Sequence, residues 1–200
     1  MSLFARNVKG MTDNLQRRII GVAGCGGLGS NAAVALVRAG VGRLVIADFD
    51  RVEISNLNRQ HFFQNDLGQE KANVLAKHLK AINPNVKVDA HVIRLTPENT
   101  LGLFKNVDLM IEAFDQADAK KWLIETWCRA FPQRHLICGN GISGYGETDA
   151  LHVLRAGSNL WFCGDGKTEM AMGLCSARVS LVASMQANLA IELLMKEVCS

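Results

Sequence analysis

Short apolar runs alternate with longer stretches of helical periodicity through the first two thirds of the chain. The apolar runs lie at residues 18–24, 43–48, 107–113 and 136–138. Such short, nearly continuous runs are typical of strands buried on both faces, and residues 86–93 alternate as a further strand. Helical patterns fill the space between them, up to Ala39 and over about 67–82 and 117–131. This order predicts an α/β fold, a Rossmann-like, mostly parallel sheet with helices on both faces.

The pattern changes beyond residue 139. Residues 139–146 hold four glycines, residues 148–154 predict an antiparallel strand, and residues 155–172 are irregular and loop-like. A long apolar helical pattern returns over 173–198, with its stripe at Leu181, Val182, Met185, Leu189 and Leu193. That stripe predicts either core packing or a dimer contact. No linker divides the chain, so we expect one domain over residues 1–200.

Composition and charge narrow the setting. The chain has 48% hydrophobic and 20% charged residues, the balance of a globular protein. Its N-terminus lacks the pattern of a signal peptide, and no apolar run approaches the ~20 residues that span a bilayer, so we expect a cytoplasmic protein. A formal charge of +3 without a dense Lys/Arg block does not single out nucleic acid or an anionic membrane as a partner.

The six cysteines are scattered, and no C-x-x-C pair occurs. They are Cys25, Cys128, Cys138, Cys163, Cys175 and Cys199. Reduced thiols are therefore expected rather than a disulfide framework. The lack of a paired-cysteine knuckle also argues against a structural zinc site.

A glycine loop, Gly24-Cys25-Gly26-Gly27-Leu28-Gly29, follows the first predicted strand and opens the first long helix. Glycines admit a ligand close to the backbone, and a helix N-terminus offers free N–H groups to a phosphate. Asp48 and Asp50 lie about twenty residues further on, where a ribose-binding acid is expected. We favour Asp50 for the ribose, because Asp48 can also be read as a cap of its strand end.

Cationic and amide side chains follow the acid. The segment Asn56-Leu57-Asn58-Arg59-Gln60 comes directly after it, and Lys71 opens the next helix. Displacement at an α-phosphate builds negative charge on the phosphoryl oxygens and on the leaving pyrophosphate, which such cations stabilise. These residues therefore favour a triphosphate over a nicotinamide dinucleotide.

Asp115 lies just beyond the carboxyl end of the strand at 107–113, the edge where open α/β sheets bind ligands. A carboxylate there could hold Mg²⁺ against phosphate oxygens. The alternative makes Asp115 the N-cap of the following helix, with Asp118 as the competing cap.

Together, the glycine loop, Asp48-Phe49-Asp50, Asn56 to Gln60, Lys71 and Phe114-Asp115 resemble the ThiF/MoeB/HesA family of adenylyltransferases, which are related to ubiquitin-activating enzymes. The chain most resembles the short ThiF-like proteins of thiamine biosynthesis. The resemblance implies ATP and Mg²⁺ as cofactors. It also implies adenylation of the C-terminal glycine carboxylate of a ubiquitin-like sulfur carrier of the ThiS or MoaD type.

The resemblance also implies roles for individual residues. The phosphates would lie against Gly24, Gly26, Gly27, Leu28 and Gly29. The ribose would bind Asp50, next to Asp48, and the triphosphate would bind Asn56, Arg59, Gln60 and Lys71. Asp115 would hold the magnesium. The family often adds an arginine from the second subunit of a homodimer, and Arg6 is the candidate here, ahead of Arg17; the alternative for Arg6 is a flexible tail.

Some features depart from the family and leave alternatives open. Many relatives carry two C-x-x-C pairs for zinc, which this chain lacks. Cys163, expected in the loop before the last helix, and Cys175, at the end of that loop, are candidates for thioester or sulfur chemistry. The remaining alternatives are an NAD-dependent oxidoreductase, a tRNA-modifying enzyme of the same family that closes a ring, and a non-catalytic protein that senses ATP or docks a carrier.

Overall fold

A computed structural model describes residues 2–196, apart from the side chain of Met170. The strands are β1 Ile19–Ala23, β2 Arg43–Asp48, β3 Lys87–Val92, β4 Leu109–Glu112, β5 His135–Gly139, β6 His152–Arg155 and β7 Leu160–Gly164. The α-helices are α1 Met11–Leu15, α2 Gly27–Ala39, α3 Lys71–Ile82, α4 Pro97–Leu103, α5 Ala117–Ala130 and α6 Ser176–Lys196.

The strands form one sheet in the order β3-β2-β1-β4-β5-β7-β6. Every neighbouring pair is parallel except β6 and β7. This confirms the predicted Rossmann-like, mostly parallel sheet. The chain order reverses between β1 and β4, and the crevice at the carboxyl ends of such strands is where open α/β sheets bind ligands.

Helices cover both faces of the sheet. Helices α2, α3 and α6 bury Leu36, Leu75 and Val182 in one apolar cluster, and α4 and α5 bury Phe104 and Trp127 in the other. Strands β1, β2, β4 and β5 are buried almost throughout, which explains their continuous apolar runs.

The predicted stripe of α6 packs inside the protein. Val182, Leu189 and Leu193 are buried in the same cluster as α2, while Leu181 is exposed. Of the two expectations for this stripe, core packing therefore describes these side chains. Helix α6 also reaches the start of β1, where the Arg18 guanidinium donates a 3.1 Å hydrogen bond to the carbonyl of Leu194. Residues 197 and 198, the last of the predicted helix, lie outside the described residues.

Helix α3 begins four residues later than its periodicity predicts. Val52 donates its N–H to the carbonyl of Gln69 and accepts one from Gly68, so this stretch is paired as extended chain. Gly68 has φ +78°, which a helix does not allow. The helix therefore starts at Lys71.

The prediction of a loop over residues 155–172 is wrong, because β7 lies there, hydrogen-bonded to β5 and β6. This strand is the apolar run Leu160-Trp161-Phe162-Cys163-Gly164, which the sequence pattern did not distinguish from the loops around it. The predicted antiparallel strand at 148–154 is shorter than expected: residues 148–150 form a 3₁₀ turn, and β6 begins at His152. The sequence pattern also did not predict the short helices α1 and α4.

The cysteines of the described residues are free thiols, as expected; Cys199 lies outside the described residues. Cys163 lies in β7 rather than in a loop and is fully buried. Burial raises the pKa of its thiol to about 12. The position and protonation of Cys163 thus contradict the loop setting on which its candidacy for thioester or sulfur chemistry depended. Cys175 is half-buried, directly before α6.

No helix within residues 2–196 is both long and apolar enough to cross a membrane.

Candidate functional site

A cavity of about 480 Å³ lies over the carboxyl ends of β1, β2 and β4. The glycine loop forms one of its walls. A Cβ on Gly29 would stand 1.8 Å from the carbonyl oxygen of Gly24, and one on Gly24 would stand 2.9 Å from the carbonyl oxygen of Ala113. Gly24 also has φ +98°. Only glycine allows the loop to pass this close to itself and to the end of β4.

The N-terminus of α2 opens beside this loop. Gly26 caps it without a side-chain hydrogen bond, so its first N–H groups are available to an anion. The Ser30 hydroxyl donates to the carbonyl of Gly26 and accepts the N–H of His61. The Asn31 amide donates to the carbonyls of Gly27 and Arg59. These bonds fasten the segment around Arg59 to the glycine loop.

The two acids at the carboxyl end of β2, Asp48 and Asp50, have different roles. The Asp48 carboxylate accepts the N–H of Cys25 at 2.7 Å and the N–H of Asp50 at 2.8 Å. It therefore caps its strand end and braces the loop, and burial raises its pKa. Asp50 is exposed at the cavity, with one carboxylate oxygen 3.0 Å from the ammonium of Lys71.

Three of the predicted triphosphate ligands line the cavity: Arg59, Gln60 and Lys71. Lys71 is buried at the first position of α3. The Arg59 guanidinium donates to the carbonyl of Ser55. Gln60 is buried, and its side-chain oxygen has no hydrogen-bond partner within the described part of the chain.

Two predicted residues lie elsewhere. The Asn56 side-chain oxygen accepts the N–H of Glu53 at 3.0 Å, so this side chain closes its own turn. Arg6 is exposed in the segment before α1. Among residues 2–196, neither belongs to the cavity lining, and Gly29, which packs against Gly24 within the glycine loop, does not line the cavity either.

The loop between β4 and α5 brings Asp115 to the cavity, and Asp118 lines it from the first turn of α5. The N-cap of α5 is Gln116, and no side chain caps this helix. The alternative in which Asp115 or Asp118 caps the helix is therefore wrong.

Within the described residues, no group of three or more His, Cys, Asp or Glu side chains could hold a metal. A cation at Asp115 would therefore have one or two carboxylates and would depend on ligand oxygens. That donor set fits Mg²⁺, which is commonly bound by one or two carboxylates together with substrate phosphates.

The sequence analysis missed the ion pair beneath this loop. Glu112 ends β4 and is fully buried, and its carboxylate accepts the Phe114 N–H at 2.6 Å. The Lys120 ammonium lies 3.0 and 2.9 Å from its two oxygens. An acid at the end of an otherwise apolar strand requires a buried partner, and that signal could have led to Lys120.

The opposite end of the cavity is apolar. It is lined by Phe49, Ile93, Leu95, Phe114 and Trp122. The Arg94 guanidinium stacks 3.7 Å from the centre of the Phe49 ring. The cavity thus has a polar end, with the glycine loop and two cations, and a flat apolar end suited to a planar ring.

Comparison with known proteins agrees with these features. A sequence model of the ThiF family matches residues 3–199. The chain belongs to the ThiF family. This confirms the resemblance drawn from the glycine loop, the paired aspartates, Arg59, Lys71 and Asp115.

Individual ThiF relatives bear names of adenylyltransferases. The chain is 40% identical over 126 residues to a sulfur carrier protein adenylyltransferase of Thermus thermophilus, which covers 62% of this chain and 41% of that protein. It is 34% identical over 140 residues to the adenylyltransferase and sulfurtransferase MOCS3 of Caenorhabditis briggsae. This match covers 70% of this chain and 34% of that protein. The chain thus spans less than half of the length of these two curated relatives.

The fold has close counterparts among solved structures. The E. coli tRNA N6-threonylcarbamoyladenosine dehydratase TcdA, in complex with AMP, superposes with a TM-score of 0.87 at 22% identity, over 96% of this chain and 92% of that one. At this identity the similarity establishes the shared fold.

Proposed function

We propose that this ThiF-family chain is an ATP-dependent adenylyltransferase, with residues 1–200 acting as one catalytic domain. One observation carries the proposal: a single cavity brings the open N-terminus of α2 together with Arg59, Lys71 and Asp115. Hydride transfer to a nicotinamide does not require two cations and a carboxylate at the phosphate end. The names of the two relatives support the same conclusion.

ATP would occupy the whole cavity. Its phosphates would lie against the glycine loop, its ribose hydroxyls would bind Asp50, and its adenine would lie between the side chains of the apolar end. The side-chain amide of Gln60, which lines the cavity, would donate a hydrogen bond to the phosphates. Asp48 and Asn56 would support these contacts from the side, since the structure uses their oxygens to hold the loops.

The reaction would be attack of a substrate carboxylate on the α-phosphorus, with pyrophosphate leaving on the opposite side. The carboxylate is already ionised, so no protein base is required. Arg59 and Lys71 would stabilise the charge that builds up on the pyrophosphate. Asp115 would hold Mg²⁺, which neutralises phosphate charge. In a homodimer, Arg6 could approach the cavity of the other subunit, because it lies outside its own.

We further propose a ubiquitin-like sulfur carrier of the ThiS or MoaD type as the substrate, in the cytoplasm and in thiamine biosynthesis. The 40% identical relative, named for a sulfur carrier protein, supports this choice. The second candidate is a modified tRNA base, which the fold of TcdA suggests. The first is favoured because the sequence is more similar to the carrier-activating relative.

ATP–pyrophosphate exchange tests the function directly. With Mg²⁺ and a ThiS- or MoaD-type carrier we expect exchange, and with modified tRNA none. Asp115→Asn should lower exchange by about 10²- to 10³-fold, the range found when one charge-stabilising group is removed, and should weaken ATP binding measured without Mg²⁺ much less. Arg129→Gln, at an exposed site at the end of α5, is the control. Exchange with tRNA alone would reverse the substrate assignment, and equal losses of exchange and ATP binding would contradict the metal role of Asp115.

A further inference from the structure

We propose that the Glu112–Lys120 ion pair is a positioning device for Asp115, which sets the advantage that Mg²⁺ gives to ATP binding. The inference rests on the proposed function, because it concerns the residue there assigned to the metal. It adds two residues that neither contact the nucleotide nor line the cavity within the described part of the chain.

The pair ties three elements together beneath the Asp115 loop. Glu112 ends β4, Lys120 lies one turn inside α5, and the Lys120 ammonium also donates to the carbonyl of Gly139, at the end of β5, at 2.9 Å. Lys120 thus makes three hydrogen bonds, as many as an ammonium can donate. Its orientation is therefore fixed.

The Asp115 loop is held at its first turn by the same carboxylate. Glu112 accepts the N–H of Phe114, the residue directly before Asp115. The backbone of Glu112 is held as well, because the Gln186 amide of α6 donates to its carbonyl at 3.1 Å. Within residues 2–196, no hydrogen bond or ion pair orients the Asp115 side chain, so the position of its carboxylate follows from Phe114 and the start of α5.

The loop has little room to move independently. Its Ala113 lies against the glycine loop, so that a Cβ on Gly29 would stand 3.2 Å from the Ala113 methyl group. A displacement of the Glu112 side chain would therefore act through the Phe114 N–H on Asp115 and strain the contact between the Asp115 loop and the glycine loop. Partners of metal ligands typically change metal affinity by about 10- to 100-fold when they are removed.

A merely stabilising role would not need charges. Buried ion pairs can often be replaced by apolar residues at no cost in stability. The pair also has a third polar neighbour: the Cys138 thiol, which hydrogen-bonds to Glu112 and whose pKa burial raises. All of these groups converge on one carboxylate beneath one loop, which favours a role in holding that loop.

Calorimetric ATP titration, with Mg²⁺ and with a chelator, tests the proposal without any carrier. Wild type is expected to gain affinity from Mg²⁺, and Asp115→Asn to lose that gain. Lys120→Met should reduce the gain in ATP affinity from Mg²⁺ by about 10-fold or more. It should change the ATP affinity measured with the chelator by less than about twofold. Lys120→Arg, which keeps the charge and donors, should retain most of the gain, and exposed Lys121→Met should retain all of it.

Amide hydrogen exchange in the metal-free protein gives a second readout. Lys120→Met should speed exchange at residues 113–116 and leave β1 and β2 protected. If Lys120→Met unfolds the protein, the double variant Glu112→Gln/Lys120→Met, which carries no charge at either position, is used instead. The same results are expected.

The outcomes separate the two proposals. A folded Lys120→Met protein with the full Mg²⁺ gain and unchanged exchange would overturn the positioning role, while Asp115→Asn still lost the gain. A wild type that gains nothing from Mg²⁺ would instead overturn the metal role of Asp115 and, with it, this inference.

Discussion

Two ion pairs hold loops on either side of the cavity, and they are built differently. Glu112–Lys120 lies beneath the Asp115 loop, whereas Asp165–Arg178 joins the loop after β7 to the start of α6. Arg178 also donates to the carbonyl of Gly146, so this second pair fastens the glycine-rich segment after β5. Both Asp165 and Arg178 are buried, whereas the Lys120 side chain is 24% exposed.

The two carboxylates are stabilised in different ways. Burial raises the pKa of Glu112, and the Lys120 ammonium offsets only part of the rise. Burial would also raise the pKa of Asp165, but the N–H groups of Thr168 and Lys167 and other hydrogen bonds outweigh it and lower the pKa. The charge of Glu112 is therefore stabilised mainly by Lys120, with smaller contributions from the Phe114 N–H and the Cys138 thiol, whereas the charge of Asp165 is stabilised mainly by its own loop. The Glu112–Lys120 pair is therefore suited to positioning Asp115, and the Asp165–Arg178 pair to stabilising the fold.

The largest effect that would test this difference is expected at Asp165. Asp165→Ala leaves Arg178 as a buried, unpaired cation and releases its loop. We expect a loss of about 3–5 kcal/mol in the free energy of unfolding, measured by urea denaturation. Exposed Asp149→Ala should stay within about 0.5 kcal/mol of wild type. A loss no greater than that of Glu112→Gln/Lys120→Met would mean that the two pairs are equivalent.

A smaller effect is expected at Gly141, which contacts the second pair. A Cβ there would stand 1.9 Å from a carboxylate oxygen of Asp165, and Gly141 has φ +72°. Gly141→Ala should therefore cost about 1–3 kcal/mol through the clash, in addition to the backbone penalty. Gly146→Ala is the matched control, because it has φ +68° and open space around its Cβ. The same Cβ would stand 2.5 Å from the backbone N of Gly166 and 2.9 Å from that of Lys167, so equal losses of unfolding free energy in the two variants would show that the whole Asp165 loop moves aside without cost.

The smallest effect is expected in the pH dependence of stability. The contribution of Asp165 is present above its unfolded pKa of about 3.9 and is lost as pH falls through its lowered folded pKa. For Glu112 the sign is opposite: its contribution is present below the unfolded value of about 4.3 and is lost as pH rises through the raised folded pKa.

Comparing the unfolding free energy of wild type with those of Asp165→Asn and Glu112→Gln, from pH 3 to pH 7 in steps of about one unit, isolates the two contributions. If the difference in unfolding free energy between wild type and variant changed with pH in the same direction at both residues, the contrast between the two ion pairs would be refuted.

The parts of the fold and site that the sequence predicts are those with a local pattern. The strands β1, β2 and β4 were predictable because they are buried on both faces, and the glycine loop because its spacing is local. Arg59, Lys71 and Asp115 follow the same logic, since each lies shortly after a predicted strand or at a helix start.

The ion pairs were not predictable from local patterns. Nothing in the local sequence distinguishes Lys120 from other helical lysines, and only the folded sheet places Gly139 and Glu112 beside it. Asp165 lies beside Arg178 because it directly follows β7. Asn56 shows a different limit of the sequence. Its position in a family motif suggested a ligand, but the structure uses its amide oxygen to close a turn.

Helix α6 runs away from the cavity, which has a practical consequence for experiments. Val179 lines the cavity, and Lys196, at the other end of the helix, is exposed. Seventeen residues of helix separate them, a length of about 25 Å at 1.5 Å per residue. A fluorophore or surface tether on the last turn of this helix would thus be distant from the cavity mouth, which allows single molecules to be immobilised while their ligand exchange is followed.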